Sequence, residues 1–222
     1  YGHVRIYQYD GTIWNQLGQD IDGEAFNDQF GWSVSINGDG TIVAIGATGN
    51  DGTSVSSTCG HVRIYQYDSG NDIWNQLGND IDGEASIDNS GYSVSINDSG
   101  TIVAIGSRLN VGTATLNTGH TRIYQYDSIN DIWNQVGHDI DAEATGDYSG
   151  SSVSLSSDGS RVAIGAPLND GTSVSSGGGH VRVYELETTT TTTPIYQSIH
   201  SDVDSSGTFS TDISLNNTMI VP

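Results

Sequence analysis

Acidic residues recur in this chain at a spacing that suits a hard cation. Asp20, Asp22, Glu24 and Asp28 stand at positions 1, 3, 5 and 9 of a short run; Asp80, Asp82, Glu84 and Asp88 repeat it, as do Asp139, Asp141, Glu143 and Asp147. Oxygen ligands so placed on a curling loop can converge on Ca²⁺. The same carboxylates also suit solvated turns or arginine partners. A second pattern, Gly-His-x-Arg-x-Tyr, begins at Gly2, Gly60, Gly119 and Gly179. Strand alternation puts His3, Arg5 and Tyr7 on one face and Val4 and Ile6 on the other. One histidine per copy spaces His3, His61, His120 and His180 apart instead of gathering them as ligands. Arg5, Arg63, Arg122 and Arg182 occupy one register and are expected to form ion pairs between neighbouring units, with the acidic run of an adjoining copy.

These residues belong to a repeat. The Gly-His-x-Arg motifs are spaced by 58, 59 and 60 residues, and three copies continue through Ile-Trp-Asn-Gln, Asp-Ile-Asp, Ser-Val-Ser and Val-Ala-Ile-Gly. The fourth has drifted, with Pro194-Ile-Tyr-Gln for Thr12-Ile-Trp-Asn and Asp202-Val-Asp204 for Asp-Ile-Asp. The reading is one repeat domain over 1–222, with copies at 1–59, 60–118, 119–178 and 179–222. Each copy carries four short alternating stretches separated by turn residues such as Asn37-Gly-Asp-Gly40, and none has a helical period. The expected fold class is all-β, with tandem four-stranded antiparallel blades of the β-propeller kind.

The sequence is similar to the FG-GAP repeat, which builds the propeller of integrin α subunits. Phe30-Gly31 with Gly46-Ala47-Thr48, and Ser149-Gly150 with Gly165-Ala166-Pro167, carry the resemblance; Ser90-Gly91 with Gly106-Ser107-Arg108 is looser, and the fourth copy keeps neither element. The resemblance implies an extracellular or cell-surface propeller used in adhesion or display. The family often binds Ca²⁺ in an acidic loop between the two elements, but here that interval holds only a tight hairpin.

Composition narrows the function. The chain has 222 residues, 27 carboxylates against six arginines and no lysine, and a net charge of −21. Such a field repels nucleic acid and anionic membranes. No stretch reaches the 18 apolar residues of a membrane helix. Cys59 is the single cysteine, so no internal disulfide forms. The first residue is Tyr1, which reads as a mature or trimmed product.

Nucleophile elbows, phosphate loops and zinc-protease motifs are absent, and carboxylates repeated in three copies do not break symmetry as an active site normally does. The expectation is therefore no enzyme and no catalytic residue. Trp14, Trp74 and Trp133, with Tyr196, read as packing anchors, and glycan stacking on them is a weaker alternative. Asn97 and Asn216 head N-glycosylation sequons, and Thr188, Thr189, Thr190, Thr191, Thr192 and Thr193 form a Thr-rich run of the O-glycosylated kind. The chain opens and closes on half-blades, which leaves strand edges to be covered. The leading expectation is a structural or adhesive module that polymerises with itself head to tail; a Ca²⁺-dependent binder of an extracellular protein or glycan is the alternative.

Overall fold

The computed structural model describes residues 1–52, 58–110, 118–170, 178–187 and 195–200. All regular structure among the described residues is β. The first part contains β1 (His3–Val4), β2 (Tyr7–Tyr9), β3 (Trp14–Gln16) and β4 (Ile21–Asp22), paired as β1 with β4 and β2 with β3. The first full sheet follows as β5 (Phe30–Ile36), β6 (Ile42–Ala47), β7 (His61–Asp68) and β8 (Ile73–Gln76), with β9 (Ile81–Asp82) on the same edge of β7. A second sheet repeats it as β10 (Ser90–Ile96), β11 (Ile102–Ser107), β12 (His120–Asp127), β13 (Ile132–Gln135) and β14 (Ile140–Asp141). The third comprises β15 (Ser152–Leu155), β16 (Arg161–Ala166), β17 (His180–Glu187) and β18 (Ile195–His200).

Every pairing between named strands is antiparallel, and within each full sheet the four main strands pair in chain order, with β9 and β14 added beside β7 and β12. The β5–β6 turn shows why. Asn37 Oδ1 accepts from the backbone N–H of Thr41 and Ile42 at 2.9 and 2.8 Å, closing the hairpin on itself. Each sheet is offset from the Gly-His-x-Arg repeat by half a unit, since it starts at the Phe-Gly or Ser-Gly element.

The core lies between sheets. Ala44, Val62 and Ile64 of the first sheet meet Val94, Val103, Ile105 and Trp133 of the second. Ile6 and Ile21 meet Val43, Ile45, Tyr65 and Trp74 in the seam before it, and Ile123 and Ile140 meet Val162 and Ile164 in the seam after it. Both faces of the central strands are thus buried, which explains runs such as Ile42-Val-Ala-Ile that do not alternate. Sheets stacked face to face through shared seams are the arrangement of propeller blades.

The family glycines have a mechanical role in these seams. A side chain on Gly46 would strike the Gly91 carbonyl, and one on Gly106 would strike that of Gly150. Ser33 and Ser93 donate to those same carbonyls at 2.7 and 2.8 Å. The glycine of one unit's Gly-Ala element therefore lies against the glycine of the next unit's Phe/Ser-Gly element.

Candidate functional site

The repeated polar residues meet at the seams. His61 opens β7, facing Ala47 on β6 and Asp82 on β9 in register. Arg63, two residues on, shares its face, and its fork grips Asp80: Nε to Oδ1 at 2.8 Å and a terminal nitrogen to Oδ2 at 2.6 Å. The same nitrogen reaches Glu24 of the preceding copy at 2.5 Å. Gln76 donates to Asp80 at 2.7 Å. Burial alone would raise the Asp80 carboxyl, but the Arg63 hydrogen bonds and charge outweigh it and hold the group below its usual range. His61 is buried, with Nδ1 3.8 Å from Asp80. Burial first, then the Arg63 charge, pushes the imidazole down, so it is neutral at pH 7.

In front of this pair lies a cleft of about 220 Å³, lined by Glu24, Ala25, Phe26, Asp28, Asn50, Asp51, Gly52, Asp80 and Asp82. Its walls come from two copies. Residues 23–29 curl because Asp28 Oδ2 accepts the Ala25 N–H at 2.7 Å and Gly49 N–H donates to the Asp28 carbonyl at 3.0 Å. Asp51 Oδ1 accepts from Thr58 N–H at 2.8 Å, and Asn50 Oδ1 from Gly52 N–H at 2.7 Å.

The four carboxylates of one run are not brought together. Asp20, Asp22, Glu24 and Asp28 do not converge as one loop: Arg5 holds Asp20 at 2.9 and 2.6 Å, and Asp22 pairs with His3 across β1 and β4. Glu24 and Asp28 instead face Asp80 and Asp82 of the following copy. Positions 5 and 9 of one run meet positions 1 and 3 of the next, since a seam lies between them.

The next seam holds the same residues in another arrangement. Arg122 donates to the Asp82 carbonyl at 2.9 Å and lies 3.5 Å from Glu84. Asp139 is left to His120, whose Nδ1 lies 3.4 Å away, and to Gln135, which donates at 2.7 Å. His120 and Gln135, against the opposing effect of burial, hold the Asp139 carboxyl at about 2. Burial raises Asp141. Asp88 accepts from Ala85 N–H at 2.8 Å and from Asn110 at 3.0 Å. In the third seam Arg182 contacts Glu143, His180 Nδ1 lies 3.7 Å from Glu143, and Asn169 donates to Asp147 at 2.7 Å. Asp202 and Asp204 lie outside the described residues, as do Asn216 and the run Thr188–Thr193.

Asn50, Asn110 and Asn169 were not singled out by sequence, although each stands seven residues beyond Val43, Val103 or Val162. That fixed offset was the available signal. Trp74 and Trp133 are buried and donate to the Leu17 and Leu77 carbonyls at 2.8 and 2.9 Å, so neither offers a free ring face to a glycan. Asn97 is buried too. Its Oδ1 accepts from Thr101 and Ile102 N–H and its amide donates to Ser99, so a glycan on it conflicts with the folded turn. Cys59 is buried, its Sγ 3.7 Å from the Asn50 carbonyl, and burial raises its thiol.

Stacked antiparallel sheets with polar seams define an all-β, propeller-like repeat protein. Residues 21–65 match the model of the FG-GAP repeat, in agreement with the resemblance carried by Phe30-Gly31 and Gly46-Ala47. No curated protein sequence matches the chain. Among solved structures it is similar to a proposed 6-phosphogluconolactonase from Bacteroides uniformis, at 13% identity and a TM-score of 0.55, over 88% of this chain and 49% of that one. A proposed 6-phosphogluconolactonase from Bacteroides fragilis gives 12% identity and a TM-score of 0.49, over 77% of this chain and 38% of that one. The periplasmic gluconolactonase of Pseudomonas aeruginosa gives 13% and 0.44, over 82% and 45%. The chain thus spans about half, or less, of these proteins.

The likeness to the Bacteroides uniformis protein corrects the expectation of a non-catalytic structural or adhesive module. The fold shared with the Bacteroides uniformis protein is one that a proposed enzyme uses, so repeat symmetry does not set this chain apart from enzymes. The FG-GAP match is compatible with a place outside the cytoplasm.

Proposed function

We propose that this chain supplies the substrate cleft of a hydrolytic propeller acting on small, uncharged sugar lactones outside the cytoplasm. The observation that carries the reading is the cleft of about 220 Å³ between two copies, with five carboxylates on its walls and the Arg63–Asp80 pair at its back. A cavity of that size suits one sugar ring, and carboxylates accept hydrogen bonds from its hydroxyls. The likeness to a proposed lactonase supports the reaction class. The net charge of −21 selects against a phosphorylated substrate, as against nucleic acid and anionic lipid.

In this reading Asp82 accepts a proton from water as the water oxygen bonds to the lactone carbonyl carbon. The bond from that carbon to the ring oxygen then breaks, and the ring oxygen takes the proton and leaves as a hydroxyl. The product ionises to a carboxylate, which the acidic walls expel. Arg63, paired with Glu24 and Asp80, fixes those two carboxylates on the cleft wall. Ca²⁺ suits the same walls: Glu24, Asp51 and Asp82 are hard oxygen donors that would hold it, and the ion would lower their mutual repulsion and engage sugar hydroxyls.

The test is titration of released acid from δ-gluconolactone and from its 6-phosphate, with and without millimolar calcium. Turnover of the neutral lactone above its spontaneous rate, with little of the phosphate, is the expected result. Spontaneous rates for both would overturn the reading.

A further inference from the structure

The seam between the second and third copies carries a different chemistry from the lactone cleft. Glu84, His120 and Asp139 each offer a ligand atom, and the three atoms lie within 4.8 Å of one another. His120 has no solvent exposure, and neither ring nitrogen has a hydrogen-bond partner. A buried imidazole whose nitrogens make no hydrogen bond is costly, and such groups call for an explanation. Its Nδ1 points at Asp139 Oδ2 from 3.4 Å. Two ligands on a tetrahedral ion with bonds of 2.0–2.1 Å stand about 3.3 Å apart, so this pair already has the spacing of adjacent ligands. Glu84 is about half exposed, and its Oε1 lies 3.5 Å from Arg122.

The preceding seam shows what closes such a site. There Arg63 forks onto Asp80 and also takes Glu24, so both carboxylates of the equivalent Glu24, His61 and Asp80 set are already held by a guanidinium. Arg122 has turned instead to the Asp82 carbonyl, leaving Asp139 to His120 and Gln135.

We propose that Glu84, His120 and Asp139 form a binding site for one divalent transition-metal ion of the zinc class, with water completing its coordination. One imidazole and two carboxylates suit that class, whereas calcium favours oxygen alone. Arg122 stays 3.5 Å from Glu84 and offsets part of the excess negative charge. The proposal is independent of lactone hydrolysis, which concerns the cleft of Glu24 and Asp82.

Calorimetric titration of the chain with Zn²⁺, and visible absorption with Co²⁺, test the assignment. One tight equivalent is expected, with Co²⁺ bands showing nitrogen ligation and low coordination number. Glu84→Gln changes an exposed side chain and preserves the fold, and should weaken binding about tenfold or more. Asp139→Asn should do likewise, while Glu24→Gln leaves binding unchanged. Undiminished binding in Glu84→Gln, equal loss in Glu24→Gln, or no bound metal would each overturn the site.

Discussion

Arg63 joins two copies with one side chain, because a guanidinium presents five donors and Asp80 and Glu24 approach from opposite sides of the seam. Replacing it with methionine keeps much of the volume but leaves Asp80 and Glu24 without their cation. The expected loss is about 3 kcal/mol of stability, read by urea denaturation, with the Asp80 carboxyl rising toward its ordinary range by carbon-detected NMR. His61 gives a second expectation. Its folded pKa lies below the ordinary value of 6.5, so the unfolded chain binds more protons between the two values. Its contribution is complete above about 6.5 and declines as pH falls from there. Melting temperatures measured from pH 8 to 5 should therefore fall, and His61→Gln should flatten that part of the slope. The arginine register was legible in the sequence, as was a carboxylate partner. That Glu24 comes from the preceding copy, and that Arg122 departs from the Arg63 pattern, depends on seam geometry that spacing alone does not encode.

At the scale of elements, two of the seams are fastened by an aromatic ring over a glycine. Trp74 lies against Gly18 and donates to the Leu17 carbonyl; Trp133 does the same with Gly78 and Leu77. A Cβ on Gly18 would sit 2.7 Å from the Trp74 ring, and that glycine also has a φ of +71°, which favours glycine. Trp14 holds the same repeat position but is 67% exposed, with Tyr9 tilted against it. Trp74→Ala should cost about 3–5 kcal/mol, and Trp14→Ala much less, by chemical denaturation of the two variants. Identical sequence environments thus give unequal energetics. The strands, their turns and the tryptophan role as packing anchors could be read from local pattern. The partners of the tryptophans could not, since they lie more than 50 residues away.

For the whole molecule, repeat spacing and the absence of helical periodicity point to the all-β, propeller-like architecture. What they could not give was the location of the cleft, because its carboxylates belong to two copies and no single run displays the set. Symmetry also misled. Residues repeated three times were read as structural, yet the seams differ: one is bridged by arginine, and another leaves a buried histidine facing an aspartate. Reading repetition as evidence against catalysis assumes that equal sequences make equal sites, and His61 and His120 show otherwise. The claim that most needs testing is that the first acidic cleft turns over a neutral lactone through Asp82. Acid release from δ-gluconolactone should be compared between the natural chain and Asp82→Asn, with circular dichroism confirming an unchanged fold. The account predicts a loss of about a hundredfold or more in kcat for the variant; equal rates in the two proteins, with both folded, would contradict it.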